Sequence, residues 1–285
     1  MSIPAVFVPR EQLRFKRHGR KLSLPSHLPG IMAAMPPAPS SFDGSKGRTI
    51  KYPILGNDQE GDCYLTDACH CIQTWTGNVG TEAVFNTSDV LRLYRQLSGG
   101  DNGLGDDQIF PAWKKGIFGH KILDEMTVDV NDQESIKFGM WKFFGASFTC
   151  SLLGGRRHGS WYDIAGPGVV WDAGMQPDSS FGHAMHWSGY VTLDGKLYYL
   201  DETWGIDPAI KVTPAGVAAA DSEITFQFSV EMFNAAGIAP DGESYEQKAT
   251  WWVACGGNRL PPSPFPPAPT PPNPPIDWGP PVDWN

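Results

Sequence analysis

The chain lacks a disulfide framework and a long hydrophobic run. Its 285 residues contain five cysteines, an odd number at irregular spacing, which indicates free thiols in a reducing compartment. No apolar run approaches the roughly 20 residues that a membrane span needs. Prolines break the apolar N-terminus, and basic residues follow it rather than precede it, which is the wrong order for a secretory signal. We therefore expect a cytoplasmic protein.

Basic charge is also scarce. Lys and Arg number 22 against 31 Asp and Glu, so the formal net charge is −9 and the isoelectric point is about 5.2. An acidic chain is poorly suited to bind nucleic acid through its phosphates or to bind an anionic membrane surface. We expect neither partner.

Proline is concentrated at the two ends. Residues 1–53 hold 8 of the 26 prolines and residues 261–285 hold 12, so few remain between them. This distribution predicts an extended, basic, proline-rich arm over 1–50, a folded body over 51–258 and a proline-rich tail over 259–285. The arm and the tail are candidates for self-association or for binding a protein partner. The tail is either a solvated extension or a docking strap whose Trp278 and Trp284 fill pockets.

The body has helical patterns first and strand patterns afterwards. Apolar residues recur at helical spacing over 63–76, 87–98, 107–116 and 132–143. Strands are predicted over 146–152, 169–171, 183–193, 196–201, 224–228 and 249–254. Helices followed by antiparallel strands indicate an α+β fold.

A cysteine at the start of the first helix is the candidate nucleophile. Gly61-Asp62-Cys63-Tyr64 ends a Gly/Asp-rich loop and opens the helix. A thiol there faces unpaired backbone N–H groups and the positive end of the helix dipole, which both stabilise the thiolate. Cys63 could also be an inert buried thiol.

A histidine on a predicted hairpin is the candidate base. His183 opens an alternating strand, and the returning strand ends in Asp201-Glu202-Thr203-Trp204-Gly205. A hairpin can place an acid from its second strand beside an imidazole on its first, which would fix the tautomer and hold the ring.

These segments resemble the papain-like cysteine peptidases. Gly61-Asp62-Cys63-Tyr64 is similar to the nucleophile motif, closest to its calpain form Gly-Asp-Cys-Trp. His183-Ala184-Met185 with Gly189-Tyr190 resembles the histidine motif, and Thr203-Trp204-Gly205 resembles the end of Asn-Ser-Trp-Gly. The resemblance spans about 57–205. It implies a helical half with the nucleophile at a helix N-terminus, packed on an antiparallel β half.

The resemblance assigns the roles, with departures at two positions. Cys63 would be the nucleophile, His183 the general base and acid, and Trp204 a lid over the histidine. Asn57 stands where the family has its oxyanion-hole glutamine, with Gln59 as the alternative donor. Glu202 aligns with the orienting asparagine, although strand alternation could present Asp201 instead. Glu60 stands where papain has a cysteine of the cystine that braces this loop.

The other histidines and cysteines have simpler interpretations. His186 lies three residues along the strand from His183, on the opposite face, which predicts a packed or surface side chain. Cys69 and Cys71 are about 200° apart on a helix, so they cannot share a tetrahedral metal site. We expect no metal and no cofactor.

Three functions remain open. The first is a cysteine peptidase or related amide hydrolase that acts on a peptide or protein through a thioester. The second is a catalytically inactive papain-like structural or assembly protein whose arms bind a neighbouring subunit. The third is an acyltransferase that uses the same triad. Reactivity of the thiol separates the first from the second, and product identity separates the first from the third.

Overall fold

The computed structural model describes residues 21–22, 36–100, 103–155, 159–161, 164–174 and 176–266. Residues 1–20 and 23–35 of the predicted arm, and the tail tryptophans Trp278 and Trp284, lie outside these residues. No helix within the described ranges is long and apolar enough to cross a membrane.

Four helices precede most of the sheet, as the sequence predicts. They are α1 (Cys63–Asn78), α2 (Thr87–Ser98), α3 (Asp106–Lys115) and α4 (Gln133–Phe143), followed later by the short α5 (Pro214–Ala219) and by α6 (Tyr245–Ala254). Helix α1 is the central one, because all of its residues except the last are buried. A helix buried on every side packs against neighbours around its whole circumference, which fixes the position of both of its ends.

The β half is one sheet. Its strands are β1 (Lys21–Leu22), β2 (Phe42–Asp43), β3 (Ile122–Val128), β4 (Ala146–Gly155), β5 (Gly159–Ser160), β6 (Val170–Trp171), β7 (Gln176–Leu193), β8 (Lys196–Glu202), β9 (Ile210–Val212) and β10 (Glu223–Ser229). The main order is β1-β3-β10-β4-β7-β8-β9-β6, with β2 on β7 and β5 on β4. Only β1–β3 and β6–β9 are parallel among these pairs, so the predicted antiparallel α+β architecture is confirmed.

Strand β7 connects the two halves. It pairs with β4 on one side and with β8 on the other, and helix α1 packs against it. Buried aromatic side chains fill the space between the layers: Trp187 stacks on Phe148 at 4.3 Å and on Tyr199 at 4.5 Å between ring centroids. Residues 182–191 of β7 are all buried. Histidines on this strand are therefore removed from water on either face.

An ion pair braces the loop that leads into α1. Two of the three guanidinium nitrogens of Arg95, on α2, donate hydrogen bonds to the Glu60 carboxylate: Nε and Nη2. The sequence places Glu60 where papain has a cystine cysteine, so a bidentate ion pair links the loop to the next helix at this point.

The segment before the helices also belongs to the sheet. Phe42 is buried, and strand β2 pairs antiparallel with β7 through Phe42 opposite Tyr190 and Asp43 opposite Gly189. A Cβ atom at Gly189 would stand 2.1 Å from the Phe42 carbonyl oxygen, so only glycine permits this approach. Residues 40–50, which the sequence assigns to the arm, thus contact the body.

One predicted strand is wrong. Residues 249–254 belong to helix α6, not to a strand. The bulky run Trp251-Trp252-Val253 suggests a strand, but Ser244 and Gln247 form a capping box that starts a helix upstream of it. Trp252 then points into the core, where its Nε1–H donates to the Asp124 carboxylate at 3.0 Å.

Candidate active site

The loop and helix around Cys63 hold its thiol in the interface between the two halves. The loop turns through Gly56, whose φ of 104° favours glycine. Helix α1 begins at Cys63, which is 2% exposed. Backbone N–H groups of Ala184 and Tyr64 donate hydrogen bonds to the Cys63 sulfur. The thiol therefore lies against the residue that follows His183 on β7.

Asp62 does not cap the helix with its side chain. Its carboxylate instead accepts a hydrogen bond from the Thr66 hydroxyl at 3.3 Å. Its negative charge remains close to the sulfur and helps to raise the pKa of Cys63. This charge opposes the thiolate, in contrast to the backbone N–H donors that favour it.

His183 is held on two sides. Its Nε2 lies 2.8 Å from Oγ1 of Thr203. Trp204 stacks flat on the imidazole, with ring centroids 4.4 Å apart and planes 13° from parallel, which confirms that it covers the histidine. Trp171 in turn meets Trp204 edge-on at 6.1 Å. The ring is thus fixed in orientation, and its hydrogen-bonding partner is a hydroxyl.

The two predicted orienting carboxylates lie elsewhere. In the β7–β8 register, Glu202 is opposite His186 and Asp201 is opposite Trp187, three or four residues along β7 from His183. Glu202 accepts a hydrogen bond from the Ser188 hydroxyl at 2.7 Å. Both carboxylate oxygens of Asp201 are buried without a hydrogen-bond partner among the described residues. The sequence predicts Asp201 or Glu202 beside His183, and the structure places Thr203 there instead.

The two candidate oxyanion donors differ in exposure. Asn57 is 4% exposed, and its backbone N–H donates to the Ile54 carbonyl oxygen. Gln59 is exposed to solvent. A donor that stabilises a developing oxyanion must lie inside a water-poor site, so burial favours Asn57 over Gln59.

Burial makes the pair neutral in this state. It raises the pKa of the Cys63 thiol to about 12, because desolvation outweighs the backbone donors that favour the thiolate, and Asp62 and Asp67 add smaller increases. Burial alone lowers the pKa of His183 to about 3. At neutral pH the closed site therefore holds a thiol and an uncharged imidazole.

Comparison with known proteins shows similarity at the level of fold. No protein-family model and no curated protein matches the sequence. The structure of digestive procathepsin L 3 from Tenebrio molitor aligns with a TM-score of 0.53 at 12% identity, over 78% of this chain and 77% of that one. Xylellain, a cysteine protease from Xylella fastidiosa, aligns with a TM-score of 0.53 at 14% identity, over 80% and 96%. A mite allergen structure, from work on Blo t 1 and Der p 1, aligns with a TM-score of 0.50 at 10% identity, over 77% of this chain and 76% of that one.

The chain therefore has the papain-like fold that its motifs predict. Sequence reasoning missed Thr203 as the partner of His183, although it quoted this residue within Thr203-Trp204-Gly205. Thr203 aligns with the serine of Asn-Ser-Trp-Gly, whereas an acidic residue was expected beside His183. It also missed a hydrogen bond between His186 and Cys71, because the two residues are 115 positions apart and only the packing of α1 on β7 joins them.

Proposed function

We propose that the protein is a cysteine peptidase or related amide hydrolase with Cys63 as nucleophile and His183 as general base and acid. The observation that carries the proposal is the position of the Cys63 sulfur. It lies at the start of α1, against the backbone N–H of Ala184, the residue that follows His183 on β7. A helix N-terminus stabilises a thiolate, and a papain-like fold brings the base to it.

The reaction follows from these positions. The Cys63 thiolate attacks an amide carbonyl carbon, and the Cys63 backbone N–H with the Asn57 side chain stabilises the oxyanion. His183 protonates the leaving amine, which gives a thioester. His183 then takes a proton from water, and the resulting attack releases the acid and restores the thiol. Thr203 is the positioning residue, because its contact with Nε2 leaves Nδ1 for the proton transfers.

Activity requires a more open state than the one described. Desolvation is the largest cause of both the raised pKa of Cys63 and the lowered pKa of His183. Water or a polar substrate at the site reverses desolvation, so it moves both pKa values toward the thiolate–imidazolium pair. We expect entry of water, of substrate or of a small polar reagent to activate the thiol in the same way.

The same burial favours a second candidate, a catalytically inactive papain-like protein that acts in assembly. A thiol that stays inaccessible needs no base. In that case the arm over 1–50 and the tail over 259–285 would bind a partner subunit or another copy of the chain.

Alkylation of Cys63 separates the two candidates. Iodoacetamide is added to the intact chain from pH 4 to pH 10, and peptide mass mapping measures the rate at each cysteine. The peptidase proposal predicts that Cys63 at pH 6 reacts at least about ten-fold faster than a free thiol with a pKa of about 8.5. The excess should disappear in His183→Ala.

Cys255 is the control within the same molecule. It is buried, and burial raises its pKa to about 12, but it lies at the C-terminal end of helix α6 rather than at a helix start. Slow alkylation of Cys63 with the pH profile of Cys255, unchanged in His183→Ala, would contradict the peptidase proposal and support the inactive protein. A positive result would justify a screen of peptide libraries to find the side-chain preference.

A further inference from the structure

A second group of reactive side chains lies two turns along α1 from Cys63. Asp67 and Cys71 are one helical turn apart and face strand β7, where His186 meets them. All three are at most 1% exposed. One ligand atom from each lies within 4.8 Å of the other two. The carboxylate, the sulfur and the imidazole therefore converge on one buried point.

The hydroxyl of Thr74 fixes which nitrogen of His186 faces this point. Its oxygen lies 2.9 Å from the His70 carbonyl oxygen, which can only accept, so the single Thr74 proton is donated there. The same oxygen lies 2.8 Å from Nε2 of His186 and 2.6 Å from the Tyr52 hydroxyl, and it can accept a proton from each. We assign His186 the Nε2–H tautomer on this network, which directs the lone pair of Nδ1 at the Cys71 sulfur, 3.2 Å away.

In the described part of the chain, neither Asp67 nor nearby Asp201 forms an ion pair with a basic side chain. Oδ2 of Asp67 is buried and has no hydrogen-bond partner there, and neither oxygen of Asp201 has one. A buried carboxyl oxygen without a partner is costly. The charged groups around Lys142 and Lys248 show the contrast. Those ammonium groups contact Glu243 at 2.6 Å and Asp241 at 2.7 Å, respectively.

We propose that Asp67, Cys71 and His186 bind a zinc ion that fastens helix α1 to strand β7. Zinc takes thiolate, imidazole and carboxylate ligands at bond lengths that separate tetrahedral donor atoms by about 3.4–3.6 Å. Nδ1 of His186 lies 3.2 Å from the Cys71 sulfur, slightly less than this separation. Oδ1 of Asp67 lies 3.8 Å from the same sulfur, slightly more. Binding releases the Cys71 proton to solvent and leaves a fourth position for a water molecule.

The remaining contacts suit this role. Metal-bound histidines donate their other ring N–H to an oxygen, as His186 does to Thr74. Ser147 lies opposite His186 in the β4–β7 register, and its hydroxyl is hydrogen-bonded to the Asp67 carboxyl group. This site is independent of the proposed peptidase function, because none of its ligands belongs to the Cys63–His183 pair.

Zinc content of the full-length chain tests the proposal. Because Cys63 and His183 could also bind zinc, every variant carries Cys63→Ala. The proteins are expressed in zinc-supplemented medium, since a buried site is filled during folding, and zinc per chain is measured by elemental mass spectrometry after desalting. We expect a ratio near one for Cys63→Ala and near zero once Cys71→Ser is added.

Cys69→Ser is the matched control. Cys69 is buried on the same helix two residues before Cys71 and is not one of the three converging residues. It should leave the zinc ratio near one. If Cys71→Ser fails to fold, Asp67→Asn tests the proposal instead. We expect this variant to bind zinc at least about ten-fold more weakly. A ratio near zero in Cys63→Ala itself, or zinc retained in both ligand variants, would overturn the proposal and leave Cys71 as a hydrogen-bonded thiol.

Discussion

Two cysteine–histidine pairs lie on the same helix and the same strand, yet their surroundings differ. Cys63 is the first residue of α1, so backbone N–H groups are available to its sulfur. Cys71 lies in the middle of α1, where the backbone N–H groups are used within the helix, and its partners are the side chains of Asp67 and His186. The helix terminus is therefore the feature that sets Cys63 apart as the proposed nucleophile.

The partners of the two histidines sharpen this comparison. His183 and His186 each place Nε2 2.8 Å from a threonine hydroxyl, Thr203 and Thr74 respectively. In both rings Nε2 is therefore engaged by a hydroxyl, which leaves Nδ1 for another partner. The pairs differ in what surrounds the sulfur: backbone donors and a possible substrate at the first, and a carboxylate inside the core at the second.

Removing each sulfur should have the largest and most contrasting effect. We expect Cys63→Ala to lower kcat/KM for peptide cleavage by at least about 10³-fold, because the nucleophile is lost. Cys71→Ala should keep kcat/KM within about ten-fold when assayed below its unfolding temperature, since no substrate reaches it. A comparable loss of activity in the two variants would show that the pairs do not have separate roles.

Charge near the second pair should give stability a pH dependence. Burial raises the pKa of Glu202, opposite His186, to about 7. Because the folded pKa is above the unfolded one, the stabilisation is present below pH 4.5 and is lost as pH rises through 7. Glu202→Gln should therefore be more stable than the parent at pH 9, by up to about 3 kcal/mol.

The advantage of Glu202→Gln should vanish at pH 4, where the parent carboxyl group is protonated. Urea unfolding at the two pH values provides the measurement, and the parent protein is the reference at each. A constant difference between Glu202→Gln and the parent at both pH values would show that Glu202 keeps its ordinary pKa.

The two cysteines should rank in the opposite order when the free energy of unfolding, rather than kcat/KM, is measured. Cys71→Ala leaves Nδ1 of His186 and the Asp67 carboxylate with one partner fewer in the core, which should lower the free energy of unfolding by about 1–3 kcal/mol. Cys63→Ala should cost less than about 1 kcal/mol, because the backbone N–H groups at a helix terminus lose a single acceptor. Urea unfolding at pH 7 compares them, and equal losses would contradict the structural role of the second pair.

The smallest effect should come from the hydroxyl beside His183. Thr203→Val removes the contact with Nε2 while keeping the shape, and we expect kcat to fall about ten-fold with little change in KM. Thr203→Ser restores the hydroxyl and should restore kcat, and the pH profile of Cys63 alkylation should follow the same pattern. Failure of the serine variant to rescue kcat would make Thr203 a packing residue only.

Local signals predicted the elements of the site, and long-range packing decided its contacts. The Gly61-Asp62-Cys63 helix start and the β7–β8 hairpin follow from turn residues and periodicity, and both exist. The partner of His183 was not predictable in this way, because Thr203 lies just past the end of β8, where alternation no longer says which way a side chain points. The Cys71–His186 contact depends on how a helix and a strand far apart in sequence dock.

The pairing of β2 with β7 sets a limit on how the chain can be trimmed. The Tyr190 hydroxyl donates to the Pro39 carbonyl oxygen, and the Thr192 hydroxyl donates to that of Ser40, so the chain is already attached to the sheet before Phe42. Cleavage at residue 50 would remove a strand and pull an aromatic ring from the core. A truncation that leaves β2 on the sheet must therefore end before Pro39, and one that also keeps β1 on β3 must end before Lys21.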